Sequence, residues 1–166
     1  MVHLAKVDRW LVALFGGLAL LEVVAGVAVL VAGLVMEAIA PGLALGIGLA
    51  LTAVGVLFGL ALWGCYATRY QVTPSDVIIR FGPFRSTLPL GSLVEVFPTR
   101  NPQSAPAPSL DRLQINYRSK GGEMRFALIS PMDKEGFVRD LASAAPRLRG
   151  PGGESLRLKA DEPSSP

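Results

Sequence analysis

Two residue types that build most catalytic centres are almost missing from this 166-residue chain, which has one cysteine, Cys65, and one histidine, His3. A single thiol closes no intrachain disulfide and anchors no metal cluster. The stretch beyond Cys65 has no cysteine at all, so it is not a stapled secreted module. With His3 near the start as the only imidazole, no Ser/His/Asp or Cys/His set can be assembled. A phosphate-binding Gly-rich loop and a G-x-G-x-x-G opening a helix after a strand are also missing. No His/Cys/carboxylate group has metal-ligand spacing. Neither an enzyme nor a cofactor is expected.

Charge is the second scarcity, and it is uneven. Between Leu11 and Met36 the only ionisable residue is Glu22, and between Leu43 and Cys65 there is none. From Arg69 onward the chain carries 14 Lys/Arg and 10 Asp/Glu, an ordinary composition with a mild basic excess. No nucleic-acid partner is expected from it. The break predicts two parts and a tail: a membrane hairpin over 1–68, a small folded domain over 69–146, and a disordered Gly/Pro/Ser tail over 147–166.

What the front part has instead is length. Trp10–Met36 is 27 residues, about 40 Å of helix at 1.5 Å per residue. That exceeds a bilayer core of about 30 Å, and the second helix, over about 43–66, also suffices. Glu37–Gly42 between them carries Pro41 and reads as a tight loop, so the two helices are antiparallel neighbours. Ala38-Ile39-Ala40 resembles a signal-peptidase site, but the apolar run before it far exceeds a signal h-region of about 7–15 residues. Lys6 and Arg9 precede the first helix, and Arg69, Arg80 and Arg85 follow the second, while the loop carries only Glu37. The positive-inside rule therefore places both termini in the cytoplasm, as a multi-pass protein of the cell (inner) membrane. The three arginines are the candidate membrane-facing basic residues, able to meet anionic lipid.

Glycines punctuate both helices, and Gly55-Val-Leu-Phe-Gly59 is a literal G-x-x-x-G. Small residues let helix backbones approach, so Gly55 and Gly59 are candidate packing positions, within one hairpin or between copies. Glu22 lies about 18 Å beyond Trp10, near mid-bilayer. An acidic residue there costs roughly 2.5–3.5 kcal/mol and is a functional candidate by default. Folding the hairpin about residues 39–40 sets it level with Leu57, with Thr52 over a turn away, so a structural carboxyl would be protonated and bonded to backbone, to Thr52 or to its copy in a dimer.

The remainder is α+β. Asp76–Phe81 alternates as a strand, and Gly82-Pro83 turns it into Phe84–Leu90. Leu93–Phe97 is apolar and of either type. Leu113, Ile115 and Tyr117 alternate with polar residues, as do Met124, Phe126 and Leu128. A two-residue loop at Lys120-Gly121 would set Tyr117 opposite Met124, Ile115 opposite Phe126 and Arg118 opposite Glu123. Ser130 reads as an N-cap, with Pro131 after it, for a helix whose stripe is Phe137, Leu141 and Ala144.

The stretches Ser109-Leu110-Asp111-Arg112-Leu113 and Ser130-Pro131 through Phe137, behind a membrane hairpin, resemble the short bacterial pleckstrin-homology-like (PH-like) family of the YyaB type. The resemblance covers about 67–146. It implies a small antiparallel sheet or partial barrel closed by a C-terminal helix, often on a membrane anchor, with no settled biochemical activity. Phosphoinositide-binding PH domains use basic residues around their first hairpin loop. Here that loop, Thr73–Asp76, has no Lys or Arg, so headgroup specificity does not carry over. Ser109, Asp111 and Arg112 form a candidate interaction loop. Asp111 is expected to accept loop amides and Arg112 to reach a carboxylate or carbonyl. The expected function is a non-enzymatic integral membrane protein presenting an adaptor at the inner face of the membrane. Its partners would be membrane lipids and a protein partner or a second copy. The alternatives are a transporter or channel subunit using Glu22, or a membrane immunity or stress-protection factor.

Overall fold

The computed structural model describes residues 1–35, 40–103, 107–152 and 155–158. It divides into two compact units: Arg9–Gly64, and Met1–Asp8 together with the chain from Cys65.

The first unit is two helices, α1 (Arg9–Leu34) and α2 (Pro41–Tyr66). Each has 26 residues and is long and apolar enough to cross a membrane. Only 6% and 17% of their most apolar windows are buried, unlike the core helix of a soluble protein. Pro41 and Gly42, expected in the loop, open α2, where proline's missing N–H costs nothing. Of the expected loop and the signal-like motif, Glu37, Ala38 and Ile39 lie outside the described residues, and Ala40 directly precedes α2.

Close approach of the helices centres on three glycines. A Cβ on Gly26 would meet Thr52 Oγ1 at 2.5 Å and Gly48 O at 2.8 Å, and one on Gly55 would meet Ala19 O at 2.9 Å. A Cβ on Gly59 would meet nothing within 4 Å, so only half of the G-x-x-x-G lies in the seam. Phe15 and Phe58, with ring centroids 5.8 Å apart, fill the interface near it. Gly26→Ala should accordingly lower the thermal stability of the detergent-solubilised protein by about 1–3 kcal/mol, as overpacking does. Gly59→Ala should leave it unchanged. Equal melting shifts for the two would refute this seam.

The second unit begins with β1 (Val2–Leu4), whose partner lies beyond both helices. β2 (Arg69–Val72), β3 (Asp76–Phe81) and β4 (Phe84–Pro89) complete an antiparallel sheet in the order β1-β2-β3-β4. Gly82, at φ 53°, supplies the left-handed residue that the two-residue β3–β4 turn needs. A 3-10 turn at Leu90–Ser92 carries the chain into a second sheet. Its members are β5 (Leu93–Thr99), β6 (Arg112–Arg118), β7 (Met124–Ile129), β8 (Leu148–Gly152) and β9 (Ser155–Leu158), in the order β7-β6-β5-β9-β8. The tail expected to be disordered thus contributes two strands, because Leu148 and Leu156 bury against the core. Residues 159–166 are outside the described range. Among the described residues the two sheets do not close into a barrel.

Helix α3 (Lys134–Ala144) places Phe137, Val138 and Leu141 against Tyr70, Val77, Ile79, Leu113 and Ile115. Its N-cap is Asp133, accepting from Gly136 N at 2.8 Å, rather than Ser130. Ser130 is buried beside the Tyr70 phenol.

The β6–β7 hairpin forms one residue out of the expected register. Leu113 pairs with Ile129, Ile115 with Ala127, Tyr117 with Arg125 and Arg118 with Met124. Gly122, at φ 84°, takes the left-handed position, and Ser119 accepts from Gly122 N, so the loop has three residues rather than two. One residue of slip reverses a strand's faces. Met124 and Phe126 therefore turn outward, and Glu123 pairs with Arg125 instead of Arg118.

Candidate functional site

The expected interaction loop packs inward. Arg112 is only 6% exposed, and its guanidinium binds four backbone carbonyls. Nε donates to Ser109 O (2.5 Å), Nη1 to Asn101 O and Gln103 O (both 2.7 Å), and Nη2 to Ala107 O (3.0 Å). Burial pulls its pKa below the usual value, with Tyr70 and Asp8 opposing the shift. The loop is thus wrapped around one side chain, satisfying carbonyls that no strand ladder reaches.

The loop amides are served by Asp8, not by Asp111. Asp8 accepts from Ser109 Oγ (2.7 Å) and Leu110 N (2.9 Å) across about a hundred residues of sequence. Asp111 instead takes Lys134 Nζ (2.7 Å) and Lys6 Nζ (2.8 Å). Lys134 and then Lys6 hold its carboxyl below the usual carboxylate range. A depressed acid contributes stability above its unfolded pKa of about 3.9 and loses it as pH falls through the folded value. Asp111→Asn should therefore weaken the folded state at neutral pH by at most about 1 kcal/mol per half-exposed pair. Its melting temperature should converge on that of the unaltered protein in acid. A gap that stayed constant into acid would contradict the pairing.

Tyr70 is fully buried, and burial pushes its pKa up to about 12. Its oxygen accepts from Ser130 N at 3.1 Å. His3 sits edge-on to Phe137, with Nε2 2.9 Å from Asp140 Oδ2.

The three candidate basic residues come together. Arg69 pairs with Arg80 and Arg80 with Arg85, so they form one row across β2, β3 and β4, continued by Leu4 on β1. Directly opposed residues have Cβ atoms about 4.5–5.5 Å apart, and like charges so placed repel. All three are exposed, and among the described residues none has a carboxylate partner. Glu22 is half-buried on α1. Thr52, one of the three partners considered for it, donates to Gly48 O at 2.8 Å and lies against Gly26.

Two antiparallel sheets and the helix α3 packed against them are therefore the architecture of the second unit, and the family model described as "Bacterial PH domain" covers most of it. Residues 68–145 match the bacterial PH domain. No curated protein and no solved structure matches the chain. The match includes Arg112, Tyr70, α3 and the arginine row, and it leaves β1 and both apolar helices outside. PH domains are in general interaction modules for lipids or proteins rather than catalysts. Sequence reasoning missed Asp8, Lys6 and Lys134 as partners of the PH-domain loop. Nothing local marks Asp8 or Lys6, because their contacts are formed only after the chain has passed through both helices. The arginine row was readable: a two-residue turn at Gly82-Pro83 makes Arg80 face Arg85.

Proposed function

We propose that the protein is a membrane-anchored, non-enzymatic adaptor. A two-helix hairpin crosses the cell membrane and holds the PH domain at the cytoplasmic face, where it meets anionic lipid and a protein partner. The observation that carries this reading is the pairing of β1 with β2. Residues 2–4 and 69–71 are neighbours in one sheet, yet two helices of about 39 Å each lie between them in the chain. If those helices cross the bilayer, both ends of the hairpin must be on one side. Lys6, Arg9 and Arg69 flank the helices, which favours the cytoplasmic side.

The row Arg69, Arg80 and Arg85 supports contact with lipid phosphates. Each arginine contributes about 1 kcal/mol near an anionic surface, and anions relieve the repulsion within the row. The buried, carbonyl-bound Arg112 and Ser109 support a structural role for their loop rather than a docking role. Asp111 remains at the surface.

The test is capture from membranes in mild detergent. A protein partner should co-purify with the full chain and be lost when residues 67–146 are replaced by an unrelated soluble domain. It should be retained by Glu22→Gln. A reporter fused after Pro166 should read cytoplasmic. Capture independent of the PH domain, or a periplasmic reporter, would overturn the proposal.

A further inference from the structure

The two sheets part at one corner. β4 is the terminal strand of its sheet, and its outer edge has no ladder partner among the described residues. Beyond it, Leu93 at the start of β5 pairs with Tyr117 of β6. A groove of about 690 Å³ lies between, lined by residues 86–89 of β4 on one side and by Tyr117, Arg118, Lys120 and Arg125 on the other.

Register explains its chemistry. The inner face of the β6–β7 pair runs from Leu113 and Ile129 through Ile115 and Ala127 to Tyr117 and Arg125. The first pairs belong to the core, and the row ends on a cation at the groove. Had the hairpin closed one residue earlier, Met124 would stand there. Among the described residues, no acidic one lines the groove. Arg118 and Lys120 have no carboxylate partner among the described residues, and Arg125 has only the exposed Glu123. Across from these charges, Leu88 points inward and buries, while Ser86 leaves room beside it.

We infer that this groove takes an acidic segment of a protein partner, extended along the free edge of β4, with its carboxylates on Arg118, Lys120 and Arg125. The inference rests on the adaptor reading and names the chemistry of its partner. A free strand edge offers the backbone donors and acceptors that an extended peptide needs, and alternate side chains then give specificity. The opposing cations select acid over base. The volume is that of an ordinary ligand site and holds a few residues of strand. Pro89, without an N–H, ends the pairing edge, so the peptide is held along residues 84–88. The arginine row lies on the other face, because Arg85 and Thr87 alternate with Ser86 and Leu88.

The experiment uses the full chain in nanodiscs of zwitterionic phosphatidylcholine, so that lipid charge does not compete. The probe is a fluorescein-labelled hexapeptide of alternating glutamate and valine, followed by anisotropy. Saturable binding is expected, weakened at least tenfold in the R118E/R125E variant. Both positions are exposed, and an unchanged melting temperature of that variant confirms its fold. Methylating alternate backbone nitrogens of the peptide should abolish binding. The inference is overturned by equal binding of a lysine–valine hexapeptide, by equal affinity in the variant, or by full binding of the methylated peptide. Competition by inorganic phosphate as effective as that by unlabelled peptide would likewise replace the peptide with a small anion and overturn it. The peptide result decides the groove alone. A membrane partner captured through the PH domain but insensitive to R118E/R125E removes the groove and leaves the adaptor.

Discussion

Replacing Arg112 with alanine is expected to destabilise the PH domain by about 3–5 kcal/mol, the range for removing one partner from a buried charged network. Four carbonyls, on Ser109, Asn101, Gln103 and Ala107, lose their donors at once. Each buried acceptor left unmatched costs about 1–3 kcal/mol, which water entering the loop partly offsets. For a domain of this size, 1 kcal/mol moves the midpoint by about 4–8 °C, so calorimetry of the full chain in detergent should show a fall of more than about 12 °C. Arg112→Lys should recover less than half of it. A single ammonium cannot reproduce a planar fork whose Nε, Nη1 and Nη2 point to different carbonyls. A shift of under about 2 °C in the alanine variant would mean that the loop is held by other contacts.

Removing residues 1–8 should be nearly as damaging, although they lie outside the PH-family match. β1 supplies three ladder positions to β2. Lys6 N donates to Ser130 O (2.7 Å), Met132 N to Leu4 O (2.9 Å) and Asp8 N to Pro108 O (3.0 Å), and Ala5 enters the core. The pairs His3–Asp140 and Lys6–Asp111 are added to these. About half a dozen hydrogen bonds at roughly 1 kcal/mol each amount to much of the 5–15 kcal/mol that holds a typical domain. A soluble fragment spanning 65–158 should therefore melt without a cooperative transition. The same fragment preceded by residues 1–8 and a Gly/Ser linker should regain one. Identical cooperative melting of both fragments would show that β1 is dispensable.

How much of this was legible in the sequence follows from how local each signal is. The two helices announce themselves by composition, each with more than twenty residues carrying one charge or none. The β6–β7 hairpin was readable from its alternation, but its register was not. Gly121 and Gly122 can each occupy the left-handed position, and the choice between them moves every side chain of β7 to the other face. The same ambiguity misplaced the cap of α3, where Ser130 and Asp133 are both good acceptors. Burial beside Tyr70 removes Ser130 from the contest. Arg112 reads as reaching either a carboxylate or a carbonyl, and that it gathers four carbonyls depends on a loop conformation that no pattern encodes. Lys6 reads only as a charge flanking an apolar helix, and no local pattern marks Asp8. The roles of Lys6 and Asp8 depend on contacts more than a hundred residues away.

The pairing of β1 with β2 also fixes an order of events during synthesis. The opening segment has to be kept waiting, unpaired, until some sixty greasy residues have been made and the second helix has ended. Only then does its neighbour emerge. If the two helices cross the membrane as proposed, the finished domain is a record that the hairpin was threaded the right way: had only one of them inserted, the first strand and its partner would have been left in different compartments.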